Sequence, residues 1–242
     1  MNVTKYTVAT TLATALALFS AGHDLYATAQ EASPTPSVSC SSMPPASGTT
    51  GMMMGTPMAG DGHDMAGMSV EFDQMYIDMM LPHHASIIAL AQAAQERLSD
   101  ERLQAIAGNI ITSQSAENEE LRGHREAWYG SNQSMPMDGA MMGMMMEMMP
   151  GMGDMATMQQ QMDPHALVAA FCAGEDADLA FIELAIPHHM MAIRASQAAL
   201  DQATHEEIRT IAERVIAEQQ REIDELETIR AELTGEGTPA GS

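Results

Sequence analysis

Two pairs of adjacent histidines, His83-His84 and His188-His189, each follow a proline and share their surroundings with methionine. Met79 stands one helical turn before His83, Met80 one turn before His84, and Met191 three residues after His188, spacings that put side chains on one face of an α-helix. Imidazole nitrogen and thioether sulfur on a common face are metal donors, and sulfur is soft: it suits Cu(I), and by the same softness Ag(I), better than Mg²⁺ or Ca²⁺. Methionine also recurs away from the histidines. The runs Met141-Met142-x-Met144-Met145-Met146-x-Met148-Met149 and Met52-Met53-Met54, and the unit Gly62-His63-Asp64-Met65, would let a flexible segment wrap an ion with several donors. The candidate ligands are therefore Met79, Met80, His83, His84, His188, His189, Met190 and Met191, with Met141, Met142, Met144, Met145, Met148, Met149, His63 and Met65 as donors in the methionine-rich segments.

The composition supports that chemistry and excludes others. The 242 residues carry 26 methionines against two cysteines, and a formal net charge of −23. Such a charge repels phosphate backbones and anionic lipid, so nucleic acid and membrane surfaces are poor partners and cations are good ones. In an oxidising compartment thiols are lost to disulfides, whereas methionine stays a ligand and needs no deprotonation. No phosphate loop, nucleophile elbow or zinc-protease helix occurs. A di-iron bundle needs Glu-x-x-His, but Ile186 stands three after Glu183 and Leu81 three after Asp78. The chain is expected not to be an enzyme, a copper-dependent oxidase being the weaker alternative.

The histidines sit in a duplicated unit. A constant offset of 105 positions pairs Pro82-His83-His84 with Pro187-His188-His189, Asp73 with Asp178, Gln114 with Gln219 and Glu117 with Glu222. Each unit reads as two helices: Ser69 caps a helix to about Arg97, Ser99 caps a second ending at Gly130, Asp163-Pro164 starts a third, and the capping box Thr204-x-x-Glu207 starts a fourth. The expected fold is all-α, an antiparallel four-helix bundle built from two duplicated hairpins, residues 69–129 and 163–235. His83 and Gln114 lie equally far from the turn at Ser99, with Glu117 one turn further, so each hairpin builds a polar layer within an apolar stripe. Pro82 and Pro187 would each free a carbonyl, of Asp78 and of Glu183, at about 3 kcal/mol. Asp78, Gln114, Glu117, Glu183, Gln219 and Glu222 are thus candidate supports for the ligands. A competing reading makes the same layer a hydrogen-bonded device fixing helix register, in a bundle that binds partner proteins through a methionine-rich surface.

Outside the hairpins, residues 1–29 read as a signal peptide, with Lys5, an apolar stretch from Val8 to Phe19 and a small-residue cleavage site at Ala27-Thr28-Ala29. Residues 30–68 and 236–242 read as disordered, and 130–162 as a flexible methionine-rich linker. The apolar stretch is short of a membrane span, so a periplasmic or secreted protein, not inserted in the membrane after cleavage, is expected. Cys40 and Cys172 could pair there, but no framework assigns them.

The units FDQMYIDMMLPHHASIIALAQAA and DLAFIELAIPHHMMAIRASQAA, each followed by a helix with Gln-x-x-Glu, resemble the exported bacterial domain-of-unknown-function family 305. The resemblance implies a ferritin-like bundle that binds copper outside the cytoplasm, with Cu(I) favoured and Cu(II) or Ag(I) as further ions. It implies ligand roles for Met80, His83 and His84 in the first unit and His188 and His189 in the second. The second unit has Ala185 where the family usually has methionine, which leaves its site to recruit Met190 or Met191 or to bind more weakly. Copper buffering, resistance, or delivery to a copper-efflux or copper-acceptor protein would follow.

Overall fold

The computed structural model describes residues 40–42 and 70–236, and these are all helix, turn and loop. The signal peptide, His63, Met65 and nearly all of residues 30–68 lie outside the described residues. Seven α-helices follow in order: α1 (Phe72–Ala94), α2 (Glu101–Tyr129), α3 (Gly139–Met148), α4 (Met155–Met162), α5 (Pro164–Ala173), α6 (Ala177–Gln202) and α7 (Glu206–Thr234), with no strand among the described residues. Helices α1 and α2 pack as one hairpin, α6 and α7 as another, and α1 lies against α6. Among the described residues no helix is long and apolar enough to cross a membrane.

Alanine, leucine, isoleucine and glutamate dominate the long helices, and glycine stops two of them. Gly130 and Gly235 close α2 and α7 in the left-handed conformation, φ 76° and 75°, which costs glycine little. Both α1 and α6 run through an internal proline. The helix starts differ from the expected ones, and the reason is a pair of carboxylates. Asp73 on α1 accepts from the Thr204 backbone N–H at 3.0 Å, the Thr204 hydroxyl at 2.6 Å and the His205 N–H at 2.9 Å. Asp178 on α6 accepts from the N–H groups of Ser99 at 2.7 Å and Asp100 at 3.2 Å. Each hairpin turn is thus closed by an acid from the other hairpin, at positions 105 apart. Ser69 lies outside the described residues; α1 starts from Glu71 without a side-chain cap, α2 starts from Asp100, and α7 from His205, whose side chain makes no capping bond. Burial pushes the Asp73 carboxyl up, but the hydrogen bonds from Thr204 and His205 outweigh it and hold the group below its ordinary value.

Two further expectations are corrected. The helix starting at Asp163-Pro164 does not run on to Thr204. It breaks at Gly174, where a Cβ would lie 2.6 Å from that of Ala180, and Asp176 restarts the chain as α6 by accepting from the Leu179 N–H. The linker over 130–162 is not a loose tether but carries α3 and α4, capped by Asp138 and Asp154. It is pinned to α6: Arg194 donates to the Gly151 carbonyl at 2.7 Å, and Gln202 to that of Met148 at 2.8 Å. Methionine explains the difference, because its flexible thioether fills irregular gaps and gives a glycine-interrupted segment enough buried surface to order it. The result is one sulfur-rich core, holding Met75, Met79, Met80, Met141, Met145 and Met191 among others, beside a hydrocarbon core built on Ile87, Leu90, Leu103, Phe171 and Phe181. Cys40 and Cys172 form a disulfide that ties residues 40–42 to α5.

The exchanged carboxylates should show in stability. Asp73→Ala is expected to cost about 2–3 kcal/mol and Asp178→Ala about 1–2 kcal/mol, as charge-assisted bonds to helix ends do. Urea denaturation measures both, and wild-type midpoints in the two variants would show that the caps carry no load.

Candidate metal centre

All four paired histidines are fully buried. Pro82 and Pro187 precede them on α1 and α6, and where these helices meet the rings of His83 and His188 lie against each other, centroids 3.7 Å apart and planes tilted by 31°. Their neighbours turn the other way, about 100° round each helix, towards the second helix of their own hairpin. His84 Nε2 lies 3.7 Å from the carboxylate of Glu117 on α2, and His189 Nε2 lies 2.8 Å from that of Glu222 on α7, off the direction of a hydrogen bond. The cluster is therefore twofold in plan: two rings in close, tilted contact at the centre, and one imidazole facing a carboxylate on either side.

Ser86, one turn after His83, ties the centre together. Its hydroxyl is 2.9 Å from His188 Nε2, 2.7 Å from the His83 carbonyl and 2.5 Å from the Gln161 carbonyl at the end of α4. A hydroxyl has one proton to give. Given to a carbonyl, it leaves the oxygen to accept from His188 Nε2–H, so the lone pair of His188 rests on Nδ1. That Nδ1, both ring nitrogens of His83 and both of His84 have no hydrogen-bond partner among the described residues. Burial, reinforced by the neighbouring imidazoles, pushes His83 and His188 well below the ordinary histidine value, and burial takes His84 down to about 3. These rings are neutral at pH 7 and keep basic lone pairs.

Sulfur completes the setting. Met79 and Met80 are wholly buried and Met191 is 4% exposed, all in the sulfur-rich core with Met141, Met142, Met145 and Met149. Met144 and Met148 are half-buried at its margin. Among the described residues no three His, Cys, Asp or Glu side chains converge as a metal cluster, so an ion held here would draw on thioether sulfur as well as imidazole. The donors present fit a soft cation and poorly fit a hard one.

Several candidates stand elsewhere. Met190 is 40% exposed, on the far side of α6 from the core, and Met191 takes the inward place. Asp78 is buried against Arg125, with Oδ1 2.5 Å from Nε, and Glu183 is an exposed residue 3.8 Å from Arg230, the same pair repeated 105 positions on. Their side chains answer arginines rather than histidines. Gln114 and Gln219 are buried with amide atoms lacking partners. Sequence reasoning missed Ser86, whose signal was a small polar residue one turn after His83 on an apolar face. It also missed Met75 on α1 and Met162 on α4, both of which the sulfur-rich core gathers in.

Comparison with known proteins bears on the family and the fold. The model of the family described as Domain of unknown function (DUF305) matches residues 73–230. No curated protein matches the sequence. Solved structures of similar fold include CopM in the Cu(I)-bound form, 23% identical over 66% of this chain and 96% of that one, with a TM-score of 0.52. CopM in the Cu(II)-bound form is 24% identical over 66% and 96%, with a TM-score of 0.50. A DUF305 protein from Streptomyces coelicolor, a candidate secreted protein, is 22% identical over 71% and 98%, with a TM-score of 0.51. At these identities the likeness is one of fold.

Neutral buried histidines make stability pH-dependent. Below pH 6.5 the unfolded chain takes up protons on His83, His84 and His188 that the folded chain refuses, so stability falls as pH falls. Burial raises Glu117 to about 7, which opposes that loss because the folded chain there binds the extra proton. The net expectation for the metal-free protein is a loss of about 2 kcal/mol per pH unit between pH 6 and 5. Urea unfolding across that range checks it, and a flat profile would mean that the imidazoles are not held neutral.

Proposed function

The chain belongs to the DUF305 family, and on that footing we propose that it is an exported copper-binding protein that takes Cu(I), and also Cu(II) or Ag(I), through buried histidine and methionine. The observation that carries the reading is the set of fully buried imidazoles with unpartnered nitrogens beside a core of methionine sulfur. A buried polar atom without a partner costs roughly 1–3 kcal/mol, and a bound cation would offset that cost at several atoms together. The register-fixing alternative needs those nitrogens hydrogen-bonded, and among the described residues His83 Nδ1 and Nε2 and His188 Nδ1 have no partner. A methionine-rich partner surface needs exposed sulfur, whereas Met141, Met142, Met145 and Met149 are buried.

In this reading the two hairpins form a four-helix, ferritin-like bundle around the site. His83 and His188 supply nitrogen at the centre, Met79, Met80 and Met191 supply soft donors for Cu(I), and His84 and His189 with Glu117 and Glu222 supply the harder nitrogen and oxygen that Cu(II) prefers. Ser86 orients His188. The sulfur-rich α3 and α4 hold further ions, and the acidic surface gathers them. The role is copper handling outside the cytoplasm, as a buffer or as a donor to a copper-efflux or copper-acceptor protein. That CopM has been solved with Cu(I) and with Cu(II) supports the choice of ion.

Anaerobic Cu(I) titration against a chromophoric chelator tests this. His83→Asn with His188→Asn should weaken the tightest site by roughly 100-fold, the scale on which lost ligands and their supports act, while helical circular dichroism is kept. Unchanged affinity overturns the site, and loss of helicity would favour the register-fixing reading. Met→Leu exchanges conserve volume. At Met141, Met142, Met145 and Met149 together they should lower the number of copper ions bound and leave the tightest affinity alone; an unchanged number would remove α3 from the ligands.

A further inference from the structure

A site buried this completely needs a way in, and the duplication supplies two related flanks, only one of which has an arginine lying across its glutamate. On one flank His84 faces Glu117, which is 5% exposed. Arg214 of α7 lies over that glutamate, Nε 3.2 Å from Glu117 and Nη2 2.6 Å from Glu120. On the other flank His189 faces Glu222, which is 4% exposed. The residue 105 positions before Arg214 is Asn109, too short and uncharged to repeat the lock. In its place an open cleft of about 480 Å³ lies between α2 and α7, lined by Asn109, Thr112, Ser113, Glu218, Arg221 and Glu222.

The cleft therefore ends on a carboxylate whose other side meets a buried imidazole. Its lining is mainly oxygen donors, two of them carboxylates, which replace part of the water around an incoming cation. Arg221 stays at the rim, 60% exposed and 3.8 Å from Glu225. One turn before Glu222, Gln219 is 3% exposed with neither amide atom partnered, so polar groups without hydrogen-bond partners continue inward from the cleft on α7. The mirrored flank presents a guanidinium to the same cation, and like charge repels it.

We infer that the cleft at Asn109 is the entrance for the cation, that Glu222 passes it inward to His189, and that Arg214 closes the equivalent route to His84. The inference rests on the copper-binding reading and specifies its path. No covalent or redox step is involved: the ion exchanges water oxygen for carboxylate oxygen, then for imidazole nitrogen. Access would thus be one-sided in a molecule whose sites are twofold.

Asn109 is exposed and Arg214 half-buried, so exchanging them leaves the core intact. Stopped-flow transfer of Cu(I) from a chelator, without oxygen, should be slowed about 10-fold or more by Asn109→Arg at unchanged stoichiometry, the scale of an electrostatic gate. Arg214→Asn should speed transfer, and the double variant should recover the rate by the opposite flank. Equal rates in wild type and Asn109→Arg overturn the entrance even where copper binds. Failure of the wild type to take copper at all would overturn the function proposed above instead. Deuterium exchange at the imidazole C2–H, read by NMR, then still decides the route: Asn109→Arg should slow His189, and Arg214→Asn should speed His84. Unaltered exchange at both rings overturns it.

Discussion

The contact between α1 and α6 is what the rest of the molecule accommodates. Two helices, each with an internal proline, bring His83 and His188 to 3.7 Å in a place without solvent exposure. Nearby, the Tyr76 hydroxyl meets that of Ser196 at 2.9 Å, and Ser86 reaches His188. Such a crossing is expensive, since the neutral imidazoles give up their water and, at the centre, gain only the bond between His188 and Ser86 in return. Helices α2 and α7 cover the outer imidazoles with a carboxylate each, and α3 and α4 cover the crossing with sulfur. The surrounding structure is arranged to hold donor atoms dry, close and uncharged.

Duplication accounts for how this is held, and its lapses account for what is particular. The exchanged caps of Asp73 and Asp178, the pairs Asp78–Arg125 and Glu183–Arg230, and the contacts of His84 with Glu117 and His189 with Glu222 are each one interaction written twice. The exchanged caps join the hairpins to each other, so neither closes its turn alone. At the site the copies diverge. Ser86 answers Met191, Met79 and Met80 answer Leu184 and Ala185, and Asn109 answers Arg214. One half supplies its sulfur before the histidines and the other after them, so sulfur comes from both helices of the crossing.

The sequence made the all-helical character legible because helical periodicity and glycine stops are local signals. The inward turn of His83 and His188 could be read as one option from the angle between adjacent residues, but their contact depends on how α1 crosses α6, which no local pattern encodes. Helix starts were misread for the same reason: Ser99 and Thr204 have the right chemistry to cap, yet the acids that close those turns are far off in the chain. The methionine-rich segment misled because glycine and proline mark flexibility by composition, whereas its order comes from burying sulfur against α1. Ser86 stayed silent because a serine on an apolar face gains meaning only once the opposing histidine is placed. Cys40 and Cys172, 132 positions apart, show the same limit.

Burial and donor chemistry together give the reading its physical sense. A site that must release its cargo cannot rely on charge alone, because a fully ionised cage would hold hard cations and protons as readily as soft ones. Here the central donors are neutral. Proton competition is weak, since desolvation keeps His83, His84 and His188 from charging and thioether sulfur has no proton to gain or lose. The negative charge lies mostly on the surface, where it raises the local concentration of any cation without choosing among them. Choice then falls to the interior, where only an ion that accepts sulfur and imidazole in exchange for its water is stabilised. In the copper-binding reading, attraction outside and selection inside fall to separate residues, the acidic surface and the core of methionine.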